Sequence, residues 1–410
     1  MRIIVQKFGG TSVSTPALRA KAAERVIEAK RQGYSPVVVV SAMGRAGEPY
    51  ATDTLLNLIR EVSPDADARH QDLLISCGEV ISSVIMALTL KAKGYPAIAL
   101  TGAQAGIITD EEFGNTSIIE VRPDQVLKHL NEGYIVVVAG FQGITKSHEI
   151  TTLGRGGSDT TAAALGVALH AEMIEIYTDV EGIMTADPRL VPDARPLKSI
   201  TYREVAELAH LGAKVIHPRA VEIAMQGGIP MKILCASSDS PGTVISEVRG
   251  FPSTRIYGDR VVTGVTSITD LAQIKVAASV DVNSSGIARS IFKALADAGV
   301  SVDLINVFPE MIVVTVKDDR LDSALAVISA LELSGVQVTT MRSCAKVSVV
   351  GAGMRGVPGV MERVVEALNG DGIPIFQTSD SHTSISCLVK KEDMQRAVRN
   401  LHSKFHLGGS

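Results

Sequence analysis

The sequence predicts an α/β protein in which a mostly parallel sheet sandwiched by helices is followed by two small α+β modules. Three observations predict this. Apolar runs alternate with helical stretches up to about residue 250, and each run ends in Gly, Ser, Thr or Asp. Beyond that point a segment repeats itself at an offset of 73 residues. At 410 residues the chain is also too long for one ordinary core, so two or three domains are expected.

The apolar runs lie near residues 2–6, 36–41, 97–101, 135–140 and 173–178. Runs such as PVVVVSAM and YIVVVAGF are continuous rather than alternating, the pattern of strands buried on both faces. They are too short to span a bilayer. Between them PALRAKAAERVIEAKRQGY and DQVLKHLNEGY read as helices, so strand, loop and helix recur as in a parallel sheet covered on both sides. The loops KFGGTS, SAMG, TGAQAG, AGFQG and TDVEG follow the strands. Ligands in such sheets bind beyond the carboxyl ends of the strands, so these polar, glycine-rich loops are expected at one edge.

SSDSPGTVISEVRGFPST is polar and contains Pro and Gly, and reads as a linker. In the repeat, GIARSIFKALADAGVSVDLINVFPEMIVVTVK from Gly286 aligns without a gap on GVMERVVEALNGDGIPIFQTSDSHTSISCLVK from Gly359. Each copy reads strand, loop, helix, glycine turn, two strands of a hairpin and a second helix. The expected boundaries are 1–245 for the first domain, 246–263 for the linker, and 264–343 and 344–410 for the modules.

Composition narrows the function. A net charge of -4, no Trp and only 4% aromatic residues argue against a nucleic-acid surface. Cys77, Cys235, Cys344 and Cys387 are scattered, with no CxxC and no histidine at zinc spacing. They are expected as buried free thiols in a reducing compartment. MRIIVQKFGG reaches glycine before a signal-peptide core could form, so a cytoplasmic location is expected.

Several motifs bear on chemistry. VQKFGGTSVS delivers one lysine to a glycine pair: either a polar strand end with a turn, or a backbone cradle for an anion. The P-loop pattern GxxxxGK[ST] is absent. GAGMRG (351–356) matches a dinucleotide fingerprint, but it lies inside the second repeat and reads as a loop feeding that module. In TTLGRGGSDTTAAALGVAL, helix-start N–H groups favour an anion and Arg155 suits a carboxylate or phosphate. Capping by Ser158 or Asp159 accounts for the acid and the serine, not for the arginine. IYTDVEGIMTADPRL offers Thr178 and Asp179 and then Asp187-Pro188-Arg189. LAHLGAKVIHPRAVE offers Lys214, with His217 as a helix-start or packing residue. Glu79, in LLISCGEVISSVIM, is either a dipole-favoured surface acid or the partner of a ligand ammonium group.

In order along the chain, KFGGTSV, GRGGSD, YTDVEG with TADPR, and GAKVIHPRAVE resemble the aspartate kinases of the amino-acid-kinase fold. The tandem modules resemble the paired ACT domains of that family. Within it, VQKFGGTSV, VVVSAMGRAGEPYATDTLL, QDLLISCGE and QTSDSHTSI are most similar to its diaminopimelate-sensitive, Bacillus-type branch. The resemblance implies phosphoryl transfer from ATP, with Mg²⁺ held mainly by the nucleotide phosphates and not by side chains, to the side-chain carboxylate of L-aspartate. The product is 4-phospho-L-aspartate, at the start of the route to lysine, diaminopimelate, threonine and methionine. That carboxylate is already ionised at pH 7, so no general base is required.

The same resemblance implies roles for residues. Lys7 and Asp159 are catalytic, Asp159 orienting the lysines. Lys7, Phe8, Gly9, Gly10, Thr178, Asp179, Met184, Arg189 and Lys214 belong to the nucleotide. Arg155 holds the substrate α-carboxylate and Glu79 its ammonium, with Ser41, Thr52, Gly156, Gly157 and Ser158 completing that pocket. Met184 stands where many relatives have Tyr, and it can pack on a purine but not donate a hydroxyl. For a regulatory amino acid the expected contacts are Ser285, Gly286 and Asn306 in the first module, and Val357, Pro358, Gln377 and Ser379 in the second. The expected effector is meso-diaminopimelate, with lysine or threonine as alternatives, and the expected assembly is a homodimer through the ACT modules. Rival readings are a glutamate-type amino-acid kinase, a non-enzymatic amino-acid sensor and, from GAGMRG, a dehydrogenase.

Overall fold

The structure, a computed structural model, describes residues 1–213, 215–247, 261–278, 284–354 and 356–408. It opens with β1 (Ile3–Phe8), α1 (Gly10–Val13), α2 (Pro16–Arg31), β2 (Ser35–Val40), α3 (Thr52–Val62), α4 (Ala68–Ile75), α5 (Cys77–Ala92) and β3 (Ala97–Leu100). There follow β4 (Ile107–Thr109), β5 (Ile118–Val121), α6 (Asp124–Asn131), β6 (Ile135–Ala139), β7 (Gln142–Ile144), β8 (Ile150–Thr152), α7 (Gly157–Ala168) and β9 (Met173–Thr178). Then come β10 (Ser199–Thr201), α8 (Tyr202–His210), α9 (Pro218–Gly227), β11 (Met231–Cys235) and β12 (Thr243–Ser246).

Eight of these strands form one sheet in the order β10-β12-β11-β9-β1-β2-β6-β3. Every neighbouring pair is parallel except β11 with β12. The central strands IIVQKF, SPVVVV and IVVVA are almost wholly buried, as expected for strands covered on both faces. Helix α7 can lie close to this sheet because it is built of small residues. A Cβ on Gly166 would come within 2.5 Å of Ile174. A separate four-stranded sheet, β5-β4-β7-β8, has strands of three or four residues, too short to show a sequence period.

The C-terminal modules comprise β13 (Gly264–Ala278), α10 (Ser284–Asp297), β14 (Asp303–Phe308), β15 (Met311–Lys317), α11 (Leu321–Ser329) and β16 (Val336–Val350), then α12 (Val360–Asn369), β17 (Gln377–Asp380), β18 (Ser384–Lys390) and α13 (Met394–Lys404). The repeat is present in the fold. Met311 and Ser384 open the third strands, and Leu321 and Met394 the second helices, each pair 73 residues apart.

The modules interleave, which departs from the expected sequential division. β16 is continuous across the 343/344 boundary, and β13 pairs with it throughout. Residues 264–268 of β13 lie opposite 346–350, and 271–278 lie opposite 336–344. A register shift at 268–271, where Asp270 has φ +61°, separates the halves. Val262 and Val265 therefore pack with Val347, Val364 and Leu401 in the second module's core. Ala272, Ile274 and Val276 pack with Ile291 and Leu295 in the first. Most of the expected linker, 248–260, lies outside the described residues.

The chain divides into two compact units, and the division does not follow the sequence simply. Met1–Ile183 and Pro196–Ala209 belong to the first unit, whereas Met184–Arg195 and His210–Ala213 belong to the second. The reason is apolar. Ala186 and Val191 are buried with Leu401 and Phe405. Polar contacts add to this: Val265 N donates to Thr185 O at 2.8 Å, Arg399 Nε to Leu190 O at 2.7 Å and Arg195 Nε to Leu407 O at 3.0 Å. His402 Nε2 lies 2.9 Å from Thr185 Oγ1, and burial holds its imidazole below the ordinary histidine pKa. At the base of the excursion Leu197 N bonds Ile183 O at 2.8 Å.

Cys235, Cys344 and Cys387 are buried, but Cys77 is exposed, because it lies on the face of α5 opposite Glu79. The helical run Ala68–Ala92 is long and apolar enough to cross a membrane. It also carries the fully buried Asp72 and the 2% exposed Glu79, two acids facing a cavity of the first unit. It is the core helix of that unit.

A Leu401→Ala variant tests the interleaving. It should lose about 2–5 kcal/mol in denaturant titration. Amide exchange should rise in 184–195 and in the second half of β16, while Ile274 and Leu295 stay protected.

Candidate active site

The parallel arrangement brings the carboxyl ends of β1, β2 and β6 together with the start of α7. Between them is a cavity of about 720 Å³. Its lining includes Lys7, Ser41, Thr52, Glu79, Arg155, Gly156, Gly157, Ser158 and Asp159. All the substrate-pocket and catalytic residues expected from sequence thus border one space.

Lys7 Nζ lies 2.7 Å from Asp159 Oδ1, and both side chains are nearly buried. Asp159 stands in the first turn of α7, where an acid also meets the positive end of the helix. Ser158 is buried beneath Gly140; a Cβ there would come within 2.9 Å of its Cβ and Oγ. Gly156 takes φ +69° as the residue before α7, and its missing Cβ leaves room for His217, whose Cγ would otherwise be 2.2 Å away. His217 is thus a packing residue here, and Arg155 beside it is exposed.

Glu79 resolves the alternative left open by sequence: it is not a surface acid. Its Oε1 accepts from Ala42 N at 3.0 Å. Oε2 is buried with no hydrogen-bond partner among the described residues. Burial pushes its pKa up to about 8, so at pH 7 this environment favours the protonated acid. The unpartnered oxygen becomes a free acceptor when the group ionises, which a ligand cation would favour.

The glycine pair behaves differently from a simple cradle. Gly9 N donates to Tyr177 O at 3.3 Å. A Cβ on Gly10 would lie 2.3 Å from Ala42 O, so Gly10 is required for the β1 and β2 loops to touch. Phe8 is fully buried and stacks on Tyr177 with centroids 4.6 Å apart. Its side chain is part of the core.

Among the described residues, the others expected at the nucleotide do not line this cavity. Thr178 Oγ1 bonds Asp179 Oδ1 at 3.2 Å, and Asp179 Oδ2 pairs with Arg45 at 3.2 Å. Arg45, in SAMGRAG, had no signal of its own in the sequence. Met184 and Arg189 lie in the excursion that groups with the second unit. There Arg189 Nη2 pairs with Asp187 Oδ2 at 2.6 Å. Lys214 lies outside the described residues. Phe141 and Asp72 also line the cavity and were missed. Phe141 holds φ +69°, an uncommon conformation for a bulky residue. Among the described residues no group of three or more His, Cys, Asp or Glu side chains is gathered as for a metal.

In the second unit, Asn306 and Gln377 meet: Gln377 Nε2 donates to Asn306 Oδ1 at 2.7 Å, and Gln273 Nε2 to Gln377 Oε1 at 2.9 Å. Gln377 is buried because β17 approaches β14 at the module junction. Ser379 is half-buried, while Val357, Pro358 and Gly286 are exposed. The side chain of Ser285 lies outside what is described.

Comparison with known proteins agrees with this architecture. The profile of the amino acid kinase family matches residues 2–235, and that of the ACT domain matches 339–403. Aspartokinase 1 of Bacillus subtilis is 48% identical, covering 99% of this chain and 100% of its own. The structure of E. coli aspartokinase III in complex with aspartate and ADP (R-state) is similar at TM-score 0.78 and 27% identity, over 98% of this chain and 99% of that one. The same enzyme with lysine and aspartate (T-state) is similar at TM-score 0.76 and 27% identity, with the same coverage. The fold and the site define an amino acid kinase with ACT modules. Within that class the chain belongs to the aspartokinase family, which phosphorylates the side-chain carboxylate of L-aspartate with ATP under amino-acid feedback. The whole-chain match disfavours the glutamate-kinase, sensor and dehydrogenase readings.

The raised pKa of Glu79 generates a pH prediction. An ammonium ligand favours the carboxylate, so binding must release a proton below about pH 8. KM for aspartate should fall as pH rises from 6 toward 8, by up to about tenfold per pH unit. A Glu79→Gln variant should show a raised KM and a flat profile.

Proposed function

We propose that the cavity of the first unit is the L-aspartate site, and that the observation carrying this is the convergence of Lys7, Glu79, Arg155 and Asp159 on one space. Arg155 takes the α-carboxylate, and Glu79 takes the α-ammonium with its unsatisfied oxygen. Ser41, Thr52, Gly156, Gly157 and Ser158 shape the remainder. The substrate's side-chain carboxylate is then the nucleophile toward the γ-phosphoryl group. Phosphoryl transfer asks the protein chiefly for positioning and charge stabilisation. Lys7 supplies the positive charge, and Asp159 fixes where it sits. The nucleotide lies against the β1 loop, with Gly9, Gly10, Thr178 and Asp179 as its contacts in the first unit; for Phe8, Met184, Arg189 and Lys214 the family resemblance is the support. Mg²⁺ accompanies ATP, neutralising phosphate charge and held mainly by the phosphates. The enzyme is cytoplasmic.

The regulatory reading places the effector at the junction of the two modules, where Asn306 meets Gln377, with Gly286, Ser285, Val357, Pro358 and Ser379 around it. The identity to the Bacillus subtilis relative supports meso-diaminopimelate, with lysine or threonine as alternatives. A homodimer through the ACT modules is supported by β14. It is an edge strand that exposes Ile305, Val307 and Phe308 to about half, and an exposed apolar edge invites pairing with another chain.

Hydroxylamine trapping of the acyl phosphate, with ATP and L-aspartate, tests the catalytic reading. Lys7→Ala should lower turnover on the order of 10²–10³-fold, and turnover with glutamate but not aspartate would refute the substrate. For the effector, diaminopimelate should suppress hydroxamate formation. Asn306→Ala should raise the half-inhibitory concentration about tenfold, equivalent to ~1.4 kcal/mol, without changing basal turnover.

A further inference from the structure

We propose that Asp72 is a positioning residue for aspartate binding: it fixes the Arg155 loop relative to the helix that carries Glu79. This rests on the reading of the cavity given above.

Asp72 is completely buried at the cavity wall, and it contacts the loop at Gly114 and the last residue of β8, Thr152, from which the Arg155 loop leaves. Its Oδ2 accepts from Gly114 N at 2.9 Å and from Thr152 N at 2.9 Å. Its Oδ1 accepts from Thr152 Oγ1 at 2.6 Å. The two loops are also bonded to each other, since Thr116 N and Oγ1 donate to Thr152 O at 3.0 and 2.9 Å. Asn115 Oδ1 fills the space where a Cβ on Gly154 would stand, 2.5 Å away. Arg155 follows directly, between Gly154 and Gly156, both at φ +69°. Glycines impose little conformation of their own, so the aim of the arginine depends on what anchors the loop. Among these contacts, the carboxylate of Asp72 is the one that ties both loops to α4.

Asp72 and Glu79 are seven residues apart on the helical run 68–92, two turns along one face. The same face thus supplies the group proposed for the ammonium and the anchor for the group proposed for the carboxylate. Asp72 sets the spacing between the two. An amide at this position keeps the size but gives up the charge: its oxygen can still take the two main-chain N–H groups while its N–H₂ turns to the Thr152 hydroxyl, so the charge-assisted anchor is weakened while the packing stays.

The test measures KM and kcat for Asp72→Asn, Thr152→Val, Thr152→Ser and Arg155→Ala, with melting temperatures. For Asp72→Asn the expected result is a KM for aspartate at least tenfold higher, with the KM for ATP within twofold of the parent. Thr152→Val should show a smaller rise, and Thr152→Ser should restore the parent value. A melting temperature that falls while KM for aspartate stays unchanged overturns the proposal, as does an equal rise in both KM values. If Asp72→Asn does not fold, an unchanged aspartate KM in Thr152→Val overturns it. Arg155→Ala separates the two levels. A raised aspartate KM there, with normal Asp72→Asn, removes the positioning role alone. An unchanged KM in Arg155→Ala removes the cavity assignment and this proposal with it.

Discussion

The first unit is organised around the ion pair between Lys7 and Asp159. Two charges largely withdrawn from water are costly unless they are paired at good geometry, so the 2.7 Å contact constrains everything that delivers them. β1 must end one residue beyond Lys7, and α7 must start beside it. The small residues of α7 let the helix approach the sheet. Gly140 leaves room for Ser158, and Gly10 lets the first two strand loops touch. Each of these glycines sits where a Cβ would clash with the neighbour packed against it.

The acids of this region show how environment assigns roles to chemically similar groups. Asp72, at the cavity wall, has three donors supplied by the fold. Glu79, seven residues on, has one donor, an orphaned oxygen and a raised pKa. Asp159 has a cation. One acid is satisfied by the fold, one by another side chain, and one is left for a ligand.

The parallel core was legible because strands such as PVVVV and IVVVA are continuous β-branched runs, which follows from burial on both faces. The repeat was legible because its glycines and its apolar period recur together. The interleaving of the modules was not: β13 reads as a single strand, and nothing local says that its halves serve different cores. Asp72 was equally hidden, because its partners are main-chain N–H groups of Gly114 and Thr152, 42 and 80 residues away. Main-chain groups leave no mark on a sequence. The short strands of the small sheet, the burial of Gln377 and the exposure of Cys77 were missed for a related reason: each depends on which neighbour tertiary packing supplies. The roles implied by family resemblance could name residues, but not say that Phe8 is core or that Arg189 is held by Asp187.

The excursion at 184–195 has a consequence for the order in which the chain can be completed. Domains generally fold as they emerge during synthesis, N-terminal part first. Here Thr185 must wait for His402, 217 residues later, and Ala186 and Val191 must wait for Leu401 and Phe405. The first unit can therefore assemble its sheet early, with Ile183 and Leu197 bonded across the base of an open loop. That loop reaches its final place only when α13 is there to pack on it. The stretch 184–195 thus completes the packing of the second unit and not of the first, so its ordering is coupled to the formation of that unit although it lies within the sequence of the other.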